Sequence, residues 1–310
     1  MTRVYLKPLP AFNAWGIPKE TVAQVAANDE EAEIVLPEGG NYQPKENAPT
    51  VGFLLEEDKS EKDKEYYTIG QSYLRVLTHT GCRLRFLSYE SPQKQMENCH
   101  AVVLPGGWFT FPESFYISGC SPAAGQSGRR YWAYRSVVEA AYESGKPMLG
   151  ICAGAQVIGV VLGGMKLHHD IRDVTPVQHK PMVKEICLHK VELEQNTPIF
   201  DILGLQPWDN VICINSRHAE AVTLWATPSP RVEMQIYGTS FDDVPEIWGN
   251  EKAGILCLQG HPEDFIGDAK MQNMYDYIAK KAAQYQQAHT PTIVSSKTQT
   301  YTQQKLRERE

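Results

Sequence analysis

Four short runs of this chain carry no charge at all: Val51 to Leu55, Ala101 to Leu104, Pro147 to Ile151 and Ile255 to Leu258. A strand with one face in water alternates polar and apolar residues, whereas a strand covered on both faces does not. Runs of four or five apolar residues are therefore read as strands near the centre of a covered sheet. Amphipathic stretches between them supply the cover. Tyr66 to Thr80 places Ile69, Tyr73, Leu74 and Leu77 on one face and is closed by Gly81. Tyr131 to Ser144, Ala155 to Leu162 and Asp268 to Gln287 read as further helices, and Arg83 to Leu87 as a further strand. Strands that alternate with helices imply a parallel sheet. The expected class is α/β, an open, mostly parallel sheet with helices on both faces. The Val- and Ile-rich stretch from Lys166 to Glu251, broken by Pro, Asn and Gly, adds partly antiparallel strands.

The chain of 310 residues, 42% of them hydrophobic, is long enough to bury a large core. Residues 1–49, with several Pro and Gly and the acidic run Asp29 to Glu33, read as an extension around the core domain at 50–287. Residues 288–310 read as a polar, disordered tail. A net charge of −7 excludes a phosphate-tracking, nucleic-acid-binding protein, whose affinity would rest on clustered Lys and Arg. No apolar run approaches the roughly 20 residues needed to span a bilayer, so no membrane partner is expected. Met1 to Lys7 has no apolar signal core, which makes the cytoplasm the expected compartment. The seven cysteines are all at least 17 positions apart, so no C-x-x-C pair exists. His168, His169, Asp170 and His179 match no standard ligand spacing, so neither a metal nor another cofactor is expected.

One cysteine has a setting that carries chemistry. Cys152 lies in Gly150-Ile151-Cys152-Ala153-Gly154, between a strand and a helix, the cysteine form of a nucleophile elbow. The sharp turn lifts the sulfur above the carboxyl edge of the sheet, where the helix N-terminus favours the thiolate. A thiol nucleophile needs a base and a group that orients the base. His261-Pro262-Glu263 offers both, since residues i and i+2 of an extended segment point the same way. Acyl transfer also needs donors for an oxyanion. The Gly106-Gly107 turn after Leu104-Pro105 can present one, and the Ala153 amide the other.

Leu104 to Gly107, Gly150 to Gln156, Asn215 to His218 and Gln259 to Glu263, in that order, closely resemble the motifs of class I glutamine amidotransferase domains. Within that superfamily the chain is most similar to the gamma-glutamyl hydrolases, including those that cleave gamma-glutamyl-gamma-aminobutyrate, over residues 50 to 285. The Tyr66-Tyr67 and Ser72-Tyr73 pairs favour that branch. The resemblance implies a flavodoxin-like sheet, with Cys152 as nucleophile, His261 as general base and acid, Glu263 as orienter and Gly107 with Ala153 as oxyanion donors. It implies that Gly106, Gln156, Ser216, Arg217 and His218 hold the glutamate portion of a small gamma-glutamyl substrate.

The expected activity is hydrolysis of a gamma-glutamyl amide through a thioester. A glutaminase subunit that delivers ammonia to a synthase is the alternative, and a non-catalytic binding relative the second. Alanines at 153 and 155, where amidotransferases commonly carry bulkier residues, point to an open pocket. Trp108 to Arg130, rich in aromatics, reads as a lid. The long C-terminal helix is compatible with a homodimer.

Overall fold

A computed structural model describes residues 2–9, 13–28, 32–36, 39–57, 66–117, 128–173, 175, 177–179, 187–226 and 229–290. Nine strands make the central sheet: β1 (Thr50–Leu54), β2 (Arg83–Leu87), β3 (Ala101–Leu104), β4 (Met148–Ile151), β5 (Leu188–Leu193), β6 (Val211–Asn215), β7 (Gln235–Ser240), β8 (Pro245–Asn250) and β9 (Ile255–Leu258). Their order is β6-β5-β7-β8-β9-β4-β3-β1-β2. The ladders from β2 through β1, β3 and β4 to β9 are parallel. Those from β9 through β8, β7 and β5 to β6 are antiparallel.

The sheet is thus mixed, half parallel and half antiparallel, rather than mostly parallel as expected. The reason is local. β7, β8 and β9 follow one another through short turns, and such turns can join only antiparallel neighbours. The apolar runs sit where the pattern placed them, since every residue of β3, β4 and β9 is buried.

Helices α1 (Gln71–Thr80), α2 (Gly128–Glu143), α3 (Ala153–Val161) and α4 (Ala269–His289) pack on this sheet, α1 against α4 and α2 against α3. The Asp268 carboxylate caps α4 by accepting from the amides of Lys270 and Met271 at 2.8 and 3.3 Å. One expected helix begins late. Tyr66–Gly70 is a strand, paired antiparallel with Ala14–Pro18 so that Ile17 faces Tyr67 and Trp15 faces Ile69. Tyr-Tyr-Thr-Ile has strong strand propensity, and a distant partner decides its conformation. The first 49 residues contribute this pairing and a further parallel pair, Thr2–Tyr5 with Ala32–Val35. The tail from residue 291 lies outside the described residues, as does 118–127 of the expected lid. Among the described residues no helix is long and apolar enough to cross a membrane.

The antiparallel half curls. β6 stands four strands from β9, about 19 Å away in a flat sheet at about 4.8 Å per strand. Yet the His261 amide, just beyond β9, donates to the Asn215 carbonyl at the end of β6 at 2.8 Å.

Candidate active site

The neighbouring strands β3, β4 and β9 end side by side, with Ile151 opposite Leu258 and Gly150 opposite Leu104. Cys152, the residue after β4, therefore has the Pro105-Gly106-Gly107 loop on one flank and the Gln259-Gly260-His261 loop on the other. Its backbone is strained, with φ 48° and ψ −111°. Three hydrogen bonds hold it there. The Cys152 amide donates to the Leu258 carbonyl at 2.7 Å, the Gly154 amide to Pro105 at 3.2 Å, and the Gln156 amide to the Cys152 carbonyl at 2.9 Å. The flanking glycines are needed for close approach: a Cβ at Gly150 would stand 2.7 Å from the Ala155 backbone, and one at Gly154 would collide with the Leu104 carbonyl.

His261 and Glu263 are both buried. His261 Nδ1 lies 2.7 Å from Glu263 Oε1, so this nitrogen carries the proton and donates to the carboxylate. The ring also stands beside Cys152, since a Cβ at Gly106 would press on both side chains. Burial alone would strip the proton from His261, but the Glu263 charge and the cysteine sulfur outweigh it and push the imidazolium up to about 10. Burial opposes charge on Glu263 too, and the imidazolium overcomes it, holding the carboxylate below its ordinary value. Tyr275 donates to Glu263 Oε2 at 3.4 Å, and Arg217 Nη2 lies 3.7 Å from Oε1.

The glycine loop is held by residues that no local motif reveals. The Gly106 amide donates to the Tyr73 hydroxyl oxygen at 2.9 Å, so a tyrosine of α1 anchors the loop. Arg130 Nη2 donates to the Gly106 carbonyl and Tyr134 to the Pro105 carbonyl, each at 3.2 Å. Arg130 is itself anchored to Glu56 at 2.8 Å. A Cβ at Gly106 would press on the His261 ring at 2.7 Å, and one at Gly107 would collide with the Arg130 guanidinium. Tyr73 stands at a family-like position in the sequence, whereas Arg130, Tyr134 and Tyr275 carry no sequence signal.

The remaining expected residues divide. Gln156 and His218 line the small cavity beside Cys152, together with Arg217 and the aromatic loop of Trp108, Phe109 and Phe111. Gln156 spends its amide on the Glu220 carbonyl at 2.8 Å and on Gln259 at 3.2 Å. Ser216 is fully buried and donates to the His179 carbonyl at 2.6 Å. Arg217 is half-exposed and pairs with Asp264 at 3.0 Å. The cavity holds only about 20 Å³, room for about one water. Despite the alanines at 153 and 155, the cavity is small, narrowed by the aromatic residues that line it, and it opens to solvent. His169 pairs with Glu220 rather than with His179. A larger cavity of about 530 Å³ lies between the N-terminal segment and β2, remote from Cys152.

A strained cysteine elbow between a glycine loop and a His-Glu pair, on this sheet, defines a class I glutamine amidotransferase-like protein. The sequence matches peptidase C26 over residues 50–263, and the chain belongs to that family. It is 28% identical over 202 residues to the glutamine amidotransferase-like protein YvdE of Lactococcus lactis, covering 62% of this chain and 79% of that protein. Two solved structures share the fold at 16% identity. A candidate GMP synthase component from Thermoplasma acidophilum superposes with a TM-score of 0.52, over 77% of this chain and 97% of that one. The glutaminase domain of Trypanosoma brucei CTPS, with bound acivicin, gives 0.51 over 76% and 94%.

Proposed function

We propose that this protein is a cysteine hydrolase of gamma-glutamyl amide bonds, which forms a gamma-glutamyl thioester and releases an amine and then glutamate. The observation that carries this reading is the buried His261, fixed by Glu263 on one nitrogen and placed beside Cys152 at the elbow. Membership of a peptidase family supports hydrolysis as the reaction class. The Cys152 thiolate attacks the gamma-carbonyl carbon, and the carbonyl oxygen takes the negative charge beneath the Gly107 and Ala153 amides. His261 gives its proton to the leaving nitrogen as the carbon–nitrogen bond breaks. The neutral imidazole then takes a proton from water, whose oxygen attacks the thioester and returns sulfur as thiolate. Arg217, the half-exposed cation of the pocket, meets a substrate carboxylate, while Gly106, Gln156, Ser216 and His218 shape the wall behind it.

The test is glutamate release from a panel of gamma-glutamyl amides and glutamine, with the Cys152→Ala protein as control. Release from an amide other than glutamine, abolished in the variant, is the expected result. Unchanged turnover in Cys152→Ala refutes the mechanism. The likeness to a synthase glutaminase domain favours one other reading, a glutaminase subunit. Release from glutamine alone, stimulated by a synthase partner, would establish it.

A further inference from the structure

Away from the cysteine, the antiparallel half of the molecule buries a second group of ionisable side chains. His179 precedes β5, His218 follows β6 and Glu246 lies on β8, and all three are buried, Glu246 with 0% of its surface exposed. His179 Nδ1 is 3.2 Å from His218 Nε2 and 3.2 Å from Glu246 Oε1, and the last two atoms are 3.6 Å apart. The outer nitrogens fix which way the lone pairs point. His218 Nδ1 donates to the Glu220 carbonyl at 2.9 Å, so Nε2 faces its neighbours with a lone pair. His179 Nε2 donates to Asp242 Oδ2 at 2.9 Å, so the neutral ring turns its Nδ1 lone pair the same way. Two lone pairs and a carboxylate oxygen thus converge on one point.

The hydrogen bond open to the two rings, 3.2 Å apart, does not serve the carboxylate. Among the described residues neither oxygen of Glu246 meets a donor in hydrogen-bonding geometry. Both ring nitrogens of His189, a residue 8% exposed or less in its side chain, are likewise unpartnered, although Nε2 stands 3.0 Å from Glu246 Oε1. The dimensions of the triangle are those of a metal site. A point equidistant from its three corners lies about 1.9 Å from each within their plane. Metal bonds of about 2.0–2.1 Å then place an ion about 0.7 Å out of the plane, where three ligands of a tetrahedron leave it, with a fourth position beyond. The outer partners complete the pattern, since Asp242 and the Glu220 carbonyl orient the two rings as carboxylate and carbonyl groups do behind metal-bound histidines.

We propose that His179 Nδ1, His218 Nε2 and Glu246 Oε1 form a binding site for a divalent transition metal of the zinc type, with His189 beside the fourth position. Two imidazoles and one carboxylate suit zinc and its neighbours rather than calcium or magnesium, which take oxygen alone. The ion would brace the turn that carries Arg217 and His218, one wall of the cavity at Cys152. Its role is therefore structural support of that wall, distinct from the thiol chemistry.

The test is a titration of the full-length, chelator-treated protein with cobalt(II), in wild type and in Cys152→Ala. The expected result is one cobalt per chain in both, with the intense visible bands of tetrahedral geometry and no thiolate charge-transfer band in the near ultraviolet. Zinc should displace it stoichiometrically and raise the thermal midpoint. Glu246→Gln should weaken binding by at least tenfold. Asp242→Asn, which keeps all three ligands, should weaken it about 10- to 100-fold and serves if the first variant does not fold. No stoichiometric binding by the wild type overturns the proposal, as does a thiolate band that places the metal on cysteine or an undiminished affinity in both variants.

Discussion

Glu263→Gln removes the charge that keeps His261 protonated inside the protein, and its effect on stability can be worked through. At about 1.4 kcal/mol per pH unit, a rise of the imidazolium from its ordinary 6.5 to about 10 is worth up to about 5 kcal/mol, a sum shared between Glu263 and the cysteine sulfur. Removing one member of a buried ion pair independently costs about 3–5 kcal/mol. The variant should therefore unfold about 3–5 kcal/mol more easily than wild type at pH 6.5. Because the folded-state value of His261 is raised, its contribution is complete below pH 6.5 and is lost as pH climbs through about 10. By pH 9.5 that contribution falls below about 1 kcal/mol. The assay is urea unfolding of both proteins at pH 6.5, 8 and 9.5, read by tryptophan fluorescence. A difference that stays constant across this range refutes the assignment of a raised imidazolium to the Glu263 pair.

Tyr73→Phe removes the acceptor for the Gly106 amide, and should lower kcat on the order of tenfold at unchanged KM in steady-state assays, with a stability loss of about 1–3 kcal/mol. Gly154→Ala drives a methyl group into the Leu104 carbonyl and should cost about 3 kcal/mol or more, read as a lowered Tm. Trp108→Ala opens the aromatic cover of the cavity; since Trp108 is 43% exposed, the Tm should hold while KM changes about tenfold, checked by kinetics and calorimetry together.

What can be read from the sequence is what neighbours in sequence decide. The elbow is five consecutive residues, the His-Pro-Glu pair three, and the parallel strands short apolar runs, so Cys152, His261 and Glu263 fall together in space as their strand ends predict. The Tyr66–Gly70 strand reads as helix in the sequence because its partner, Ala14–Pro18, lies about fifty residues away and propensity cannot see it. The clamp of Arg130 and Tyr134 on the glycine loop looks like any helix face in the sequence, since only the approach of α2 to the loop gives those side chains a task. His218 belongs to the Asn215–His218 motif, but nothing in the sequence joins it to His179 and Glu246, which the curl of the antiparallel strands brings to it.

That curl also decides what keeps the two sides of the site together. Cys152 and the glycine loop are placed by the parallel pairing of β4 with β3, in which Leu149 faces Val103 from 46 residues away. The histidine loop is locked to Asn215, which becomes available only after β5 to β8 have folded back on themselves. The Asn215–His261 contact also spans 46 residues, so the two flanks of the site close loops of equal length and chain entropy does not rank them. Opening of the antiparallel half would therefore withdraw His261 while Cys152 stayed in place, so the two meet only while those strands remain closed.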